Sequence, residues 1–152
     1  MTPNTSIDLD DLYQDIILDH YKHPRHAAKL TPEEALVDEE NPTCGDQILL
    51  TLDLEDGCVT NVRYAAHGCA ISVASASMMS ELLTGKPEAE ARQLIQDFVA
   101  VMKGEKDLDP ELGDVVALEG VKKFPLRIKC ATMSWHALLH ALEKRKAEGV
   151  ME

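Results

Sequence analysis

From Ile48 to Leu54 the side chains alternate, Ile48, Leu50, Leu52 and Leu54 on one parity and Leu49, Thr51 and Asp53 on the other, the period of a half-buried strand. A second run, Val59 to Ala66, follows Glu55-Asp56-Gly57, a hairpin signal, so the two strands are expected to pair antiparallel. The other segments carry the helical period. Leu9, Leu12, Tyr13, Ile16, Ile17, His20 and Tyr21 mark a first helix from an Asp8 N-cap that stops before Pro24. A second helix follows Cys69, with Ile71, Ser75, Met78 and Leu82 on one stripe, and ends at Gly85. Pro87 opens a third, with Ala91, Leu94, Ile95, Phe98, Val101 and Met102 on its apolar face. Asp109-Pro110 opens a short element that runs to Gly120, and Pro125 begins the last helix, facing Ala131, Trp135, Leu138, Leu139 and Leu142 to the core. Lys144, Arg145 and Lys146 are read there as complements to the C-terminal dipole. Lys29 to Glu40 is polar and acidic, with a short helical turn at Pro32 and no chemistry. The fold expected is α+β: a small three-stranded antiparallel sheet from about Ile48 to Ser72, its third strand short and just before the second helix, packed on one side by helices.

Length and charge narrow the classes. A chain of 152 residues, 45% hydrophobic, suffices for one core that buries about 70% of the unfolded chain's surface, so a single domain over 1–152 is expected. With 27 acidic against 15 basic residues and a formal charge of −12, it lacks the basic footprint of a nucleic-acid binder, and its partners are expected to be proteins or small ions. A polar N-terminus and the absence of any stretch near 18 apolar residues point away from the membrane and to the cytoplasm.

Four cysteines in such a chain fit metal binding or thiol chemistry better than disulfides. Three of them, with one aspartate, fall where regular elements begin: Cys44 and Asp46 in the turn Asn41-Pro42-Thr43-Cys44-Gly45-Asp46 before a strand, Cys69 before the second helix, and Cys130 in the second turn of the last. Three thiolates and a carboxylate can complete a tetrahedral zinc site, and the same set could hold an iron-sulfur cluster. Cys58 belongs to the far end of the hairpin and reads as a small strand residue. His20, His23 and His26 recur at intervals of three, but Pro24 breaks the helix between the last two, and they read as packed or solvated; His67 reads as lining its turn.

Taken together these pieces resemble a known family. Leu12-Tyr13 with Asp19-His20-Tyr21 and Pro24-Arg25, the Asn41 to Asp46 turn, Gly68-Cys69-Ala70-Ile71-Ser72 with Ser77-Met78-Met79, and Arg127-Ile128-Lys129-Cys130-Ala131 with Trp135 resemble the SufU family, relatives of the IscU-type iron-sulfur scaffolds. Two features resemble the SufU branch: Lys129 stands where the scaffold branch has a histidine, and Lys103 to Lys123 resembles an insertion that branch lacks. His26-Ala27-Ala28 departs from the family's usual Asn and nearby Gly.

The resemblance implies zinc held by Cys44, Asp46, Cys69 and Cys130, and sulfur transfer in iron-sulfur cluster assembly, with Cys44 accepting persulfide sulfur from a cysteine desulfurase of the SufS type. Cys44 suits that role because its Gly-Pro loop can move, whereas Cys69 and Cys130 are fixed by helices. Arg127, three residues before Cys130, is a candidate to steady the exchanging charge. Lys122, Lys123, Arg127 and Lys129 oppose the acidic bulk and are expected to steer the partner. The competing readings are a scaffold that assembles a cluster on the same ligands, and a zinc module that only mediates interaction.

Overall fold

The computed structural model describes residues 9–41 and 45–151. In chain order the elements are α1 (Leu9–Lys22), β1 (Val37–Asn41), β2 (Asp46–Glu55), β3 (Cys58–His67), α2 (Ala70–Leu83), α3 (Glu88–Met102), a 3₁₀ segment (Pro110–Lys123) and α4 (Pro125–Met151). The N-cap expected at Asp8 lies outside the described residues.

The sheet has three antiparallel strands in the order β1-β2-β3, as the pattern led one to expect, but its third strand is elsewhere. It precedes the hairpin: Val37 pairs with Leu50 and Asn41 with Asp46, and the stretch from His67 onward is the end of β3 running into α2. β1 is Val-Asp-Glu-Glu-Asn, with Val37 and Asn41 buried and Asp38 and Glu40 exposed. An edge strand with charged side chains on its outer face shows no apolar alternation, which is why the acidic stretch read as loop. β2, the middle strand, is buried on both parities from Ile48 to Leu52, so its alternation overstated its contact with solvent.

α4 packs across β1 and β2, and α2 against β3, α1 and α4. The core centres on Trp135, which stacks on Phe98 with ring centroids 4.0 Å apart and donates its indole N–H to Ser75 Oγ at 2.9 Å. α2 is buried along most of its length, and its serines act as ties rather than as small spacers alone. Ser75 donates to the Ala131 carbonyl and Ser80 to the Ser77 and Arg25 carbonyls, which satisfies hydroxyls that burial would otherwise penalise. Lys144 and Arg145 do not end a helix, since α4 continues to Met151. They reach back to the sheet, donating to the carbonyls of Leu36 and Leu52 at 2.7 Å each.

His20 is fully buried. Its Nδ1 meets Ser77 Oγ and its Nε2 meets Asp114 Oδ2, both at 2.7 Å, so it ties α1 to α2 and to the 3₁₀ segment. His26 takes a left-handed φ of 65°, a conformation asparagine and glycine favour and histidine tolerates better than most residues.

Candidate metal centre

Three elements deliver the site. Asp46 is the first residue of β2, across from Asn41, and the Gly45 N–H closes the β1–β2 turn on the Asn41 carbonyl at 2.8 Å. Cys69 is the N-cap of α2, at the end of the helix that faces the start of β2. Cys130 lies in the second turn of α4, fully buried. Ligand atoms of Asp46, Cys69 and Cys130 all lie within 4.8 Å of one another. Cys44, between Asn41 and Gly45, lies outside the described residues.

The carboxylate of Asp46 is held on three sides. Its Oδ1 accepts the Cys69 backbone N–H at 3.1 Å, and its Oδ2 accepts the Ser72 hydroxyl in a short hydrogen bond. The third side is Gly68, where a Cβ would sit 2.1 Å from Oδ1. The Ser72 hydroxyl also lies 3.6 Å from the Cys69 sulfur, so one side chain touches two donors. Two sulfurs and an oriented carboxylate fit a zinc ion or an iron-sulfur cluster by donor type. Arg127 stands beside both sulfurs: the charge of Cys69 first, then the hydrogen bond and charge of Cys130, raise its pKa above the ordinary value.

The other candidates fall away from this centre. Cys58 pairs with Glu55 at the opposite end of the hairpin, nine strand residues from Asp46 and so roughly 30 Å distant. His67 is exposed at the end of β3 and is not in the ligand group. A second group, His20, Glu81 and Asp114, brings ligand-type atoms together, but both ring nitrogens of His20 already have partners. Ser72 and Gly68 stand in the motif that marked Cys69, yet their contacts to Asp46 escaped the sequence reading. The available signal was the i, i+3 spacing of Cys69 and Ser72 in a first helical turn. Removing the hydroxyl in Ser72→Ala should loosen the carboxylate and weaken retention of a divalent ion by about tenfold, measured by competition with a chromophoric chelator.

Residues 12–144 match the NifU-like N terminal domain. The chain belongs to that family. Among the relatives of this NifU-like chain is the zinc-dependent sulfurtransferase SufU of Bacillus subtilis, 46% identical over 139 residues, which span 91% of this chain and 94% of the relative. The iron-sulfur cluster assembly scaffold protein IscU of Streptococcus pyogenes is 41% identical over 137 residues, 90% of this chain and 86% of that one. A crystal structure from Fervidobacterium islandicum AW-1, provisionally named as an iron-sulfur cluster assembly scaffold protein for the SUF system, superposes with a TM-score of 0.74 at 32% identity. It covers 84% of this chain and 94% of its own. The architecture is thus that of the family, and no helix among the described residues is long and apolar enough to cross a membrane.

Proposed function

We propose that this chain works in the cytoplasm as a single domain that carries sulfur into iron-sulfur cluster assembly. Cys44 accepts sulfane sulfur from a SufS-type cysteine desulfurase and passes it to downstream assembly proteins, while Cys44, Asp46, Cys69 and Cys130 surround a zinc ion. The observation that carries this reading is the meeting of Asp46, Cys69 and Cys130 within 4.8 Å, with Cys44 two residues from Asp46. The similarity to the sulfurtransferase of B. subtilis supports it.

A bound zinc ion supplies redox-silent positive charge that keeps thiols deprotonated. The chemistry then belongs to the chain's own residues. The Cys44 thiolate attacks the outer sulfur of the donor's persulfide; a new S–S bond forms on Cys44 as the donor's S–S bond breaks, and the donor cysteine leaves as a thiolate. No net oxidant is consumed, and the proton carried by the outer sulfur stays with it or passes to solvent. Cys69 and Cys130 are held by helices, which makes the turn residue the better acceptor. Arg127 contributes a cation beside the two helix-held sulfurs, there to steady the charge that the exchange passes to the leaving thiolate.

The scaffold reading draws support from the S. pyogenes relative, and it would use the same four residues. Metal analysis of protein purified without added metal, followed by anaerobic reconstitution with iron and sulfide, separates the two. About one tightly held zinc per chain with no transferable cluster is expected; a stable cluster delivered intact to an acceptor would overturn the sulfur-transfer assignment. The ion should also hold the fold together, because its removal leaves like-charged donors crowded at the junction of β2, α2 and α4. Stripping it with a chelator, or Asp46→Ala, should lower Tm by about 5–10 °C, the shift expected when a ligand at roughly a hundred times its Kd is withdrawn from a domain of this size. Calorimetry with and without the chelator checks this. An unchanged Tm after verified metal loss would uncouple metal from fold.

A further inference from the structure

The bulky apolar side chains left exposed among the described residues are Leu18, Tyr21, Phe124 and Leu126, two on α1 and two around the start of α4. Leu18 and Tyr21 are one turn apart on α1; Phe124 and Leu126 flank the start of α4, with Phe124 61% and Leu126 76% exposed. Leu18 and Phe124 border a groove of about 430 Å³ formed by α1, the start of α2 and the 3₁₀ segment, which also takes in Tyr13, Ile17 and Ile71 and reaches Arg127 at the candidate metal centre. Of its described lining residues, Lys123 and Arg127 are the charged ones, both cations. From Val121 to Leu142 the chain carries no acidic residue, although acidic residues number 27 in the whole. An apolar trough with a basic edge, in a molecule otherwise negative, selects both the composition and the orientation of whatever docks there.

Resting on the function proposed above, we propose that this groove seats one bulky apolar side chain, flanked by carboxylates, from the surface of the sulfur-donating desulfurase. Three features of the groove fit the donor as its occupant. The groove is continuous with the sulfur site through Ala70 and Arg127, so whatever fills it arrives beside the thiolates. Its basic edge attracts carboxylates, and the acidic bulk repels the same partner elsewhere, which leaves one productive approach. A central apolar anchor ringed by charge is also the arrangement in which a few side chains carry most of an interface's affinity.

The experiment is alanine formation by a purified cysteine desulfurase, titrated with wild-type, Leu18→Glu and Phe124→Ala chains, with Tm and zinc content measured on each. Both positions are exposed enough that folding and metal content should match wild type. The half-saturating concentration is expected to rise about tenfold in each variant with the maximal rate kept, and the wild-type value to rise with salt, as a screened charge pairing requires. Unchanged half-saturation in both variants, with wild-type stimulation intact, would overturn the groove and leave the function standing. A concentration-dependent dimer in sedimentation that the variants abolish, without effect on half-saturation, would assign the groove to a second copy and also overturn the proposal. Failure of the wild-type chain to stimulate the desulfurase at all would remove the function and the groove's role together.

Discussion

Cys44→Ala should give a folded protein that no longer raises alanine formation above the desulfurase's basal rate. The core among the described residues is built around Trp135, Phe98 and the buried stretch of β2. Asp46, Cys69 and Cys130 remain as three donors, with water free to complete the shell. What disappears is the proposed nucleophile, and without it the donor's persulfide should find no acceptor on this chain. Circular dichroism should report a native spectrum, the chelator assay should report retained but weakened metal, and mass spectrometry should find the added sulfur of the wild type missing. Full stimulation by the variant, or sulfur found on Cys69 or Cys130, would name a different acceptor.

Gly68→Ala is expected to damage the centre as severely by another route. The new methyl would lie 2.1 Å from Asp46 Oδ1 and 2.6 Å from its Cγ. Asp46 is 1% exposed and anchored on the middle strand, so its carboxylate can yield only by giving up the Cys69 amide, the Ser72 hydroxyl or both. Metal affinity should fall by about 10–100-fold, the range for losing the groups that orient a ligand. Backbone strain adds to this, since φ at Gly68 is 148°, a value that side chains disfavour. Gly104→Ala is the control: φ is 79° and nothing lies within 4 Å of the added carbon, so it should cost about 1–2 kcal/mol of stability and leave metal affinity unchanged. Parallel urea melts and metal titrations on the two variants separate strain from collision. Equal metal affinity in both would dismiss the collision.

The elements with strong periodicity were legible from sequence because burial wrote the pattern. α1, α3 and the runs at 48–54 and 59–66 fall where apolar spacing put them, and Cys69 and Cys130 meet Asp46 at one end of the sheet, Cys44 lying outside the described residues. β1 was hidden because a strand at a sheet edge pairs through its backbone and needs few apolar side chains. The role of α4's basic residues was misjudged for a related reason. Where Lys144 and Arg145 reach depends on how α4 lies over the sheet, a long-range fact that spacing within one helix does not encode. The same holds for Ser72 and Gly68, whose partner Asp46 is more than twenty residues away in sequence.

The hydrogen bond from the Cys69 amide to Asp46 makes that single proton a reporter. Because the carboxylate that accepts it also belongs to the proposed ligand set, any event that swings Asp46 toward or away from an ion must change how this N–H is shielded, while the amides deeper in α2 keep their helical partners. In a nitrogen-15 correlation spectrum the Cys69 peak should therefore shift, and its exchange with deuterated water should quicken or slow, ahead of its neighbours in the helix. The state of the centre can be followed from the backbone, without a coloured metal and without touching a sulfur.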